Sequence, residues 1–489
     1  MKRLSVFIKQ IFSEEHLLKN KKKTIYVGIL IILLFNIGLY NFTDYHQYRI
    51  QYRSKTTGFA NDIARNFFYF YYYTGNFPLA TLNKDLKYSK DSAYKEIEQN
   101  GKDLIMEYRH WARLGENLRI ICYYPNAIIK GSPENPRIKL FNTLIFILGL
   151  ISVFVAFVRI GKPMLGIILV TIVNITPYFF YEIFINFNIF GLLASVFLII
   201  TGINLKLIFT GVNKKYLYFI LPVISGIIIG FSSEIRGETS IVAGSSILIY
   251  ILAKQTKYFF KIIMPVLLVL AMFSTKSAIK SYFDKKFEQT AELVAKHGGH
   301  VYTGKRISGH RFWHPVFCGL GDFDTKYGYE WNDIVAYVYA GPILKEKYNL
   351  DLNYIPGKYY IDEYYDKDSL YYKKHDEFEE YEQVVKEKVL HDIKNDPLWY
   401  ITILFKRIIA IFTKTLPFPF AGWITLLLSI YLIKKKEWDL LKLIIISLPL
   451  SFTPFFIYSG DGTTYNSFFP ILGVAILLYL PACKIFQNK

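Results

Sequence analysis

The sequence predicts an all-α polytopic membrane protein with about 10–11 transmembrane helices and two extracytoplasmic loop domains, the second of them α or α+β. Hydrophobic residues make up 52% of the 489 residues, more than the roughly 45–50% of soluble domains. They cluster in runs of about 18 or more residues, the length that crosses a ~30 Å hydrocarbon core as helix. Lysine and arginine outnumber aspartate and glutamate by 58 to 39, giving a net charge of +19.

The alternation of apolar and polar runs divides the chain into seven regions. The basic N-terminus leads into an apolar run without a small-residue cleavage site, so an uncleaved anchor is favoured over a signal peptide. The regions are a cytosolic N-terminus (1–23), a first transmembrane helix (24–41), a first extracytoplasmic loop (42–138), a six-helix transmembrane block (139–279), a second extracytoplasmic domain (280–397), an interfacial or partly inserted helix (398–416) and a C-terminal transmembrane block (417–489).

The basic residues orient these regions. Short loops rich in lysine and arginine face the cytosol, and such loops hold Arg159 with Lys162 and the cluster Lys434–Lys436. The opposite short loops carry acidic residues and little lysine. Both long polar regions are therefore predicted outside, with the two termini in the cytosol. Topology and anionic lipid headgroups account for the positive charge, so no nucleic-acid partner is expected.

Apolar segments are expected within the two transmembrane blocks and between them. They lie at 139–158, 163–181, 187–204, 216–232, 239–253, 258–275, 398–416, 420–433, 440–457 and 467–483. The segment 398–416 is ambiguous, because Lys406 and Arg407 lie in its middle, where charges are costly in lipid. A span here would also turn Lys434–Lys436 outward. An interfacial helix gives ten spans, and a spanning helix gives eleven.

Two acidic residues of the first loop are candidates for a general base. Asp44 follows the first apolar run, and Asp62 lies in NDIAR, at the predicted start of a helix. A carboxylate near the bilayer surface can take a proton from an attacking hydroxyl. The alternative is an interfacial polar residue at Asp44 and a helix N-cap at Asp62.

Charged residues also gather where predicted spans end outside. GFSSEIRGETS contains Glu234, Arg236 and Glu238, and an arginine there can pair with two phosphate oxygens. A structural Arg–Glu pair between helix ends is the alternative. Asp461, in SGDGTTYN between the last two spans, is most simply explained by turn chemistry, with a ligand contact as the alternative.

The stretch SGHRFWHPVFCGLGDFDTKYGYEWND is the most polar and aromatic part of the second loop. His310 and His314 would share a face of a helix and could hold a metal there. Pro315 disfavours helical backbone at His314, so we predict no metal site. His310, His314, Asp322 and Asp324 are expected to contact an acceptor instead.

Together these features resemble the GT-C superfamily of polyprenyl-phosphate-sugar-dependent membrane glycosyltransferases, of mannosyl- or aminoarabinosyltransferase type. The resemblance covers most of the chain as architecture. It rests on the large loop after the first helix, on DIARNFFYFYYYTGNFP, on GFSSEIRGE, on NDPLWYITILFKRI and on the late helix beginning Phe-Phe-Pro-Ile-Leu. Asp44 is followed by Tyr45 and His46 rather than by the second acid usual in the family, so Asp62 stays an alternative base.

The resemblance implies a bacterial inner-membrane enzyme that transfers a sugar, with inversion, from a polyprenyl-phosphate donor. The acceptor would be a glycan, a lipid or a protein at the outer face. Arg236, helped by Lys406 or Arg407, would bind the donor phosphate, and Glu234, Glu238 and Asp461 would support the site. No cofactor is implied, although a divalent metal is compatible with the chemistry.

Three other functions fit parts of the pattern. A surface-polysaccharide polymerase or ligase also joins lipid-linked glycans outside, but the late loop here is rich in acids and tyrosine rather than in arginine. A glycan or lipid transporter should show paired half-repeats or charges at the membrane midplane, and the predicted spans carry almost none. A non-catalytic assembly subunit is consistent with every feature above.

Overall fold

A computed structural model describes residues 13–51, 138–180, 183–184, 191–296, 312–349, 364–366, 371–373, 379–413, 419–452 and 468–486. These residues are mostly helical. The elements are α1 Glu14–Lys19, α2 Lys21–Gln51, α3 Ile138–Arg159, α4 Pro163–Ile175, α5 Pro177–Phe180, α6 Gly191–Phe209, α7 Leu217–Ser233, a 3₁₀ helix Gly237–Ile241, α8 Val242–Ile251, α9 Tyr258–Lys296, α10 Trp313–Leu320, α11 Asp333–Tyr348, β1 Tyr364–Asp366, β2 Tyr371–Lys373, α12 Glu379–Asn395, α13 Pro397–Thr413, α14 Ala421–Lys434, α15 Trp438–Ile445, α16 Leu448–Phe452 and α17 Phe468–Phe486.

Four described helices contain stretches long and apolar enough to cross a membrane. They are Lys21–Thr43, Leu140–Arg159, Leu192–Phe209 and Tyr258–Lys286. Five shorter apolar stretches accompany them, at Pro163–Ile175, Leu217–Ser233, Gly237–Ile251, Ala421–Lys434 and Phe468–Cys483. The apolar runs of the sequence are thus helical and compatible with a membrane.

Several helices have bounds that differ from the expected segments. The first helix continues past residue 41 to Gln51, and α9 continues past 275 to Lys296. Neither extension contains a proline or glycine that would stop it. In contrast, the segment 163–181 breaks at Thr176, because the following Pro177 disfavours helical backbone there.

The buried side chains form two separate apolar clusters. The larger one, the main helical block, joins α2–α9 with α13–α17, and its buried residues include Phe154 and Phe197. The smaller one, the four-helix domain, joins α10–α13 around Phe317, Tyr329 and Tyr381. Helix α13 belongs to both, because Trp399 and Ile403 pack in the four-helix domain while Phe412 packs in the main block.

Two glycines let α7 and α9 approach closely. A Cβ atom added at Gly226 would lie 2.5 Å from the carbonyl oxygen of Leu268, and one at Gly230 would lie 2.6 Å from that of Met272. Both partner positions advance by about one helical turn, so the two helices run parallel. Glycines four residues apart are a common interface in membrane helices, where packing rather than water exclusion drives association.

This interface predicts a stability difference among glycine variants. Gly226→Leu and Gly230→Leu should each destabilise the chain by about 1–3 kcal/mol, because the added side chain meets backbone that cannot move aside. Gly38→Leu is the matched control, since a Cβ atom at Gly38 in α2 meets nothing within 4 Å. Thermal unfolding of the purified protein in detergent measures the difference. Equal midpoints for the three variants would contradict the interface.

Candidate functional site

The end of α7 and the adjacent turns of α9 bring together five charged side chains, which we call the helix-end cluster after the end of α7. Its members are Glu234, Arg236, Glu238, Lys276 and Lys280. Glu234 directly follows α7, and the two lysines lie one turn apart on the adjacent part of α9. The parallel register of the two helices places Lys276 beside Glu234, so the tertiary contact rather than the local sequence assembles the cluster.

Two ion pairs join four members of the cluster, and the side chains of these four residues are partly buried. Arg236 Nε lies 2.5 Å from Glu238 Oε2, and the two side chains are 22% and 17% exposed. Lys276 Nζ lies 3.8 Å from Glu234 Oε1. Burial raises the pKa of the Glu234 carboxyl, while the nearby charges of Lys276 and Lys280 lower it. Three cations and two carboxylates therefore lie around the end of α7, beside the middle of α9.

The backbone around Arg236 is fixed by several hydrogen bonds. Its N–H donates to the carbonyl oxygen of Ser232 at 2.9 Å, and its own carbonyl accepts from the Thr239 hydroxyl at 2.9 Å. Arg236 itself is extended, and the 3₁₀ helix begins immediately after it. The arginine is thus held at a defined position between α7 and α8.

Arg407, expected to assist with a phosphate, lies inside the four-helix domain. The residue is 1% exposed, and its Nη2 donates to the Gly319 carbonyl and lies 4.0 Å from Asp322 Oδ2. Burial lowers the pKa of this guanidinium, whereas Asp322 raises it. The guanidinium lies at the C-terminal end of α10, where the helix carbonyl groups attract positive charge. We therefore leave Arg407 out of the candidate site.

Lys406 lies next to the same loop. Its Nζ is 3.5 Å from the Phe323 carbonyl oxygen, so both basic residues of α13 contact the chain segment after α10.

Two acceptor-loop candidates are buried. His314 is 1% exposed, its Nδ1 is 2.5 Å from the Tyr381 hydroxyl, and its ring stacks on Tyr337. The side chain of Asp322 is 4% exposed. Asp324 makes a turn, accepting a hydrogen bond from the Lys326 backbone N–H at 2.7 Å. The burial of His314 and Asp322 excludes direct contact with an acceptor in this conformation.

The helix at His314 differs from the expectation about Pro315. Helix α10 begins at Trp313 and runs through both residues. Proline is tolerated in the first turn of a helix, where a backbone N–H has no intrahelical partner. Pro315 therefore lies at the start of the helix rather than preventing it. Across the described ranges, no three His, Cys, Asp or Glu side chains group as metal ligands would.

The remaining candidates are placed only in part. Asp44 has helical backbone within α2, rather than lying after the helix as expected. Asp62, His310 and Asp461 lie outside the described residues. Sequence reasoning missed Lys276 and Lys280, although their spacing of four just beyond an apolar run was a usable signal.

A polar network fixes the segment after α10 onto α12 and α13. The Tyr329 hydroxyl donates to Asp392 at 2.8 Å, and Lys388 donates to the same carboxylate at 2.9 Å. Burial, followed by the bond to Asp392, raises the pKa of Tyr329. This phenol therefore stays protonated and acts as a structural donor.

Asp396 makes a second attachment at the start of α13. It accepts from Lys326 at 2.6 Å and from the Trp399 backbone N–H at 3.1 Å. The hydrogen bond from Lys326, followed by that from Trp399, lowers the pKa of Asp396. Aspartate before a proline at the first helical position is a favoured helix start.

No protein-family model, curated protein or solved structure matches this chain. Function is accordingly argued from its residues.

The buried arginine gives a testable difference between neighbouring residues. Arg407→Met should destabilise the chain by about 3–5 kcal/mol, because it leaves the Asp322 carboxylate buried beside an apolar side chain. Lys406→Met, at the half-buried neighbouring position, should cost much less. The double variant Arg407→Met with Asp322→Leu should recover part of the loss. Denaturant unfolding of the full chain compares them, and equal losses for the Arg407 and Lys406 variants would refute this role.

Proposed function

We propose that the chain is a multi-pass membrane glycosyltransferase that uses a polyprenyl-phosphate sugar donor. The observation that supports this most is the helix-end cluster, in which Arg236, Lys276 and Lys280 lie where α7 ends and where the apolar run of α9 gives way to polar residues. A donor with a long apolar tail stays in the bilayer, and its phosphate lies at the membrane surface. A fixed group of cations at helix ends is the chemistry that binds such a phosphate.

The carboxylates of the cluster would position these cations. Glu238 lies against the Nε edge of the Arg236 guanidinium and would help to orient it. Glu234 lies close to Lys276 without a short hydrogen bond. A phosphate could then compete for the lysine ammonium groups, and the fixed positive charge would stabilise the phosphate as it leaves.

The proposed reaction is an inverting displacement at the anomeric carbon. A hydroxyl oxygen of the acceptor attacks that carbon, a carboxylate accepts the hydroxyl proton, and the bond from carbon to the phosphate oxygen breaks. Asp44, or else Asp62, is the proposed base. The acceptor is a glycan, a lipid or a protein. No cofactor is required by these steps.

The proposed location is a bacterial inner membrane. Ten or eleven spans, cytosolic termini and outer polar regions follow from the distribution of lysine and arginine. The four long apolar helices and the five shorter apolar stretches support a multi-pass arrangement. In this orientation the helix-end cluster lies at the outer face.

A structural role for the cluster is the competing proposal, because the Arg236–Glu238 pair is also the contact that such a role predicts. Binding of undecaprenyl phosphate to the full chain in nanodiscs, followed by native mass spectrometry, separates the two. Arg236→Gln and Lys276→Gln should each weaken binding about tenfold, the equivalent of 1.4 kcal/mol. Lys285→Gln, an exposed lysine further along α9, should bind as the unaltered chain does. Equal affinity in all three variants would favour the structural role.

The base is tested by complementation, because the acceptor is not identified. A strain lacking the gene should lose one envelope glycan modification, detected by mass spectrometry, and the unaltered chain should restore it. One of the variants Asp44→Asn and Asp62→Asn removes the proposed base. That variant should restore about a hundredth or less of the glycan modification. Immunoblots of membranes control for protein amount. Full restoration by both variants would eliminate both residues.

A further inference from the structure

Helix α13 has an apolar face that is largely exposed. Leu398, Ile401 and Phe405 follow one another at helical spacing and are 73%, 58% and 61% exposed. The opposite face is buried, with Trp399 and Ile403 in the four-helix domain. Exposed apolar side chains that recur on one helix face mark a surface that another medium or molecule covers.

The end of α13 adjoins the start of α14. The Phe420 N–H donates to the Thr413 carbonyl at 3.2 Å, and the rings of Phe412 and Trp423 are 4.8 Å apart. A Cβ atom added at Gly422 would lie 2.6 Å from Phe412 Cα, so the two backbones touch there. The C-terminal end of α13 is therefore at the level where the apolar helix α14 begins.

Helix α14 has an exposed apolar face of its own. Helix α14 is one of the shorter apolar helices. Its large exposed apolar side chains are Trp423, Ile424, Leu426, Leu427, Ile430, Tyr431 and Ile433. The exposed apolar side chains of the N-terminal half of α13 and of α14 match the composition of a surface at a membrane–water boundary.

The charges of α13 are arranged consistently with this boundary. The Arg407 side chain is directed into the protein, where it contacts the Gly319 carbonyl and the Asp322 carboxylate. It therefore does not interrupt the apolar face. Lys406 borders the face with a flexible side chain that can reach lipid phosphates. The helix thus presents apolar groups to one side without placing a charge in hydrocarbon.

We propose that the face formed by Leu398, Ile401 and Phe405 lies in a lipid bilayer, at the boundary between acyl chains and headgroups. The bilayer then covers one side of α13 while the four-helix domain covers the other. This attaches the four-helix domain to the membrane surface beside α14. The inference does not depend on glycosyl transfer.

Nitroxide accessibility in nanodiscs of phosphatidylethanolamine and phosphatidylglycerol tests it. The full chain carries Cys122→Ser and Cys483→Ser, and Cys318 stays because it is buried. Single cysteines for labelling replace Leu398, Ile401 or Phe405. Leu427→Cys on α14 is the lipid reference. Leu390→Cys is the matched water reference, since Leu390 is an exposed apolar residue of α12 in the same domain. All five positions are exposed, so the labels should leave the fold intact.

The ratio of accessibility to oxygen over accessibility to a water-soluble nickel chelate gives the result. At the three α13 positions it should approach the Leu427 value and exceed the Leu390 value several-fold. A ratio equal to that at Leu390 would mean that water covers the face, and would overturn the proposal. Low accessibility to both reagents would also overturn it. Dipolar broadening of the nitroxide spectrum would then show that a second copy of the chain covers this face. Without such broadening, another segment of the same chain would cover it.

Discussion

The close contact between α7 and α9 determines where the charges of the candidate site lie. Between helices in lipid, close packing has to replace the exclusion of water as the source of association. Gly226 and Gly230 allow that packing, because a side chain at either position would collide with the α9 backbone. The parallel register then brings Glu234 next to Lys276. A change in this register by one turn would separate the two charges.

A second constraint is the burial of one arginine in a helix that otherwise resembles a membrane segment. A guanidinium in apolar surroundings needs partners, since leaving water is costly. The partners of Arg407 are the carbonyl group of Gly319, in the last turn of α10, and the carboxylate of Asp322, just after that helix. The same contact therefore accommodates the charge and fixes the most polar stretch of the second loop.

The charged residues of the four-helix domain and those of the helix-end cluster lie in different surroundings. In the four-helix domain, Tyr329, Lys388 and Asp392 satisfy one another in a buried network. At the helix ends, the carboxylates leave an excess of one cation in partly exposed positions. An excess of fixed positive charge at a membrane edge can bind an anion, whereas a neutralised buried network mainly holds backbone in place. This difference is why the proposed function rests on the helix-end cluster.

The sequence by itself determined the features that depend on neighbouring residues. It predicted that the apolar runs are helical, as the apolar stretches of the described helices confirm. Spacing, capping and proline act within a few residues, so they can be read locally. The prediction that Pro315 prevents a helix was wrong, because its effect depends on whether it lies in the first turn.

Only the tertiary structure decided which charged and polar groups point inward and which ones meet. Arg407 and Lys406 are adjacent in the sequence, yet only Arg407 is buried, because a helix turns by about 100° from one residue to the next and α10 packs on one side alone. His314 became an interior residue because its face of α10 packs against Tyr381 of α12, and Asp322 because it lies beside the buried Arg407. Lys276 joined Glu234 across 41 intervening residues, through a helix contact that no local pattern encodes.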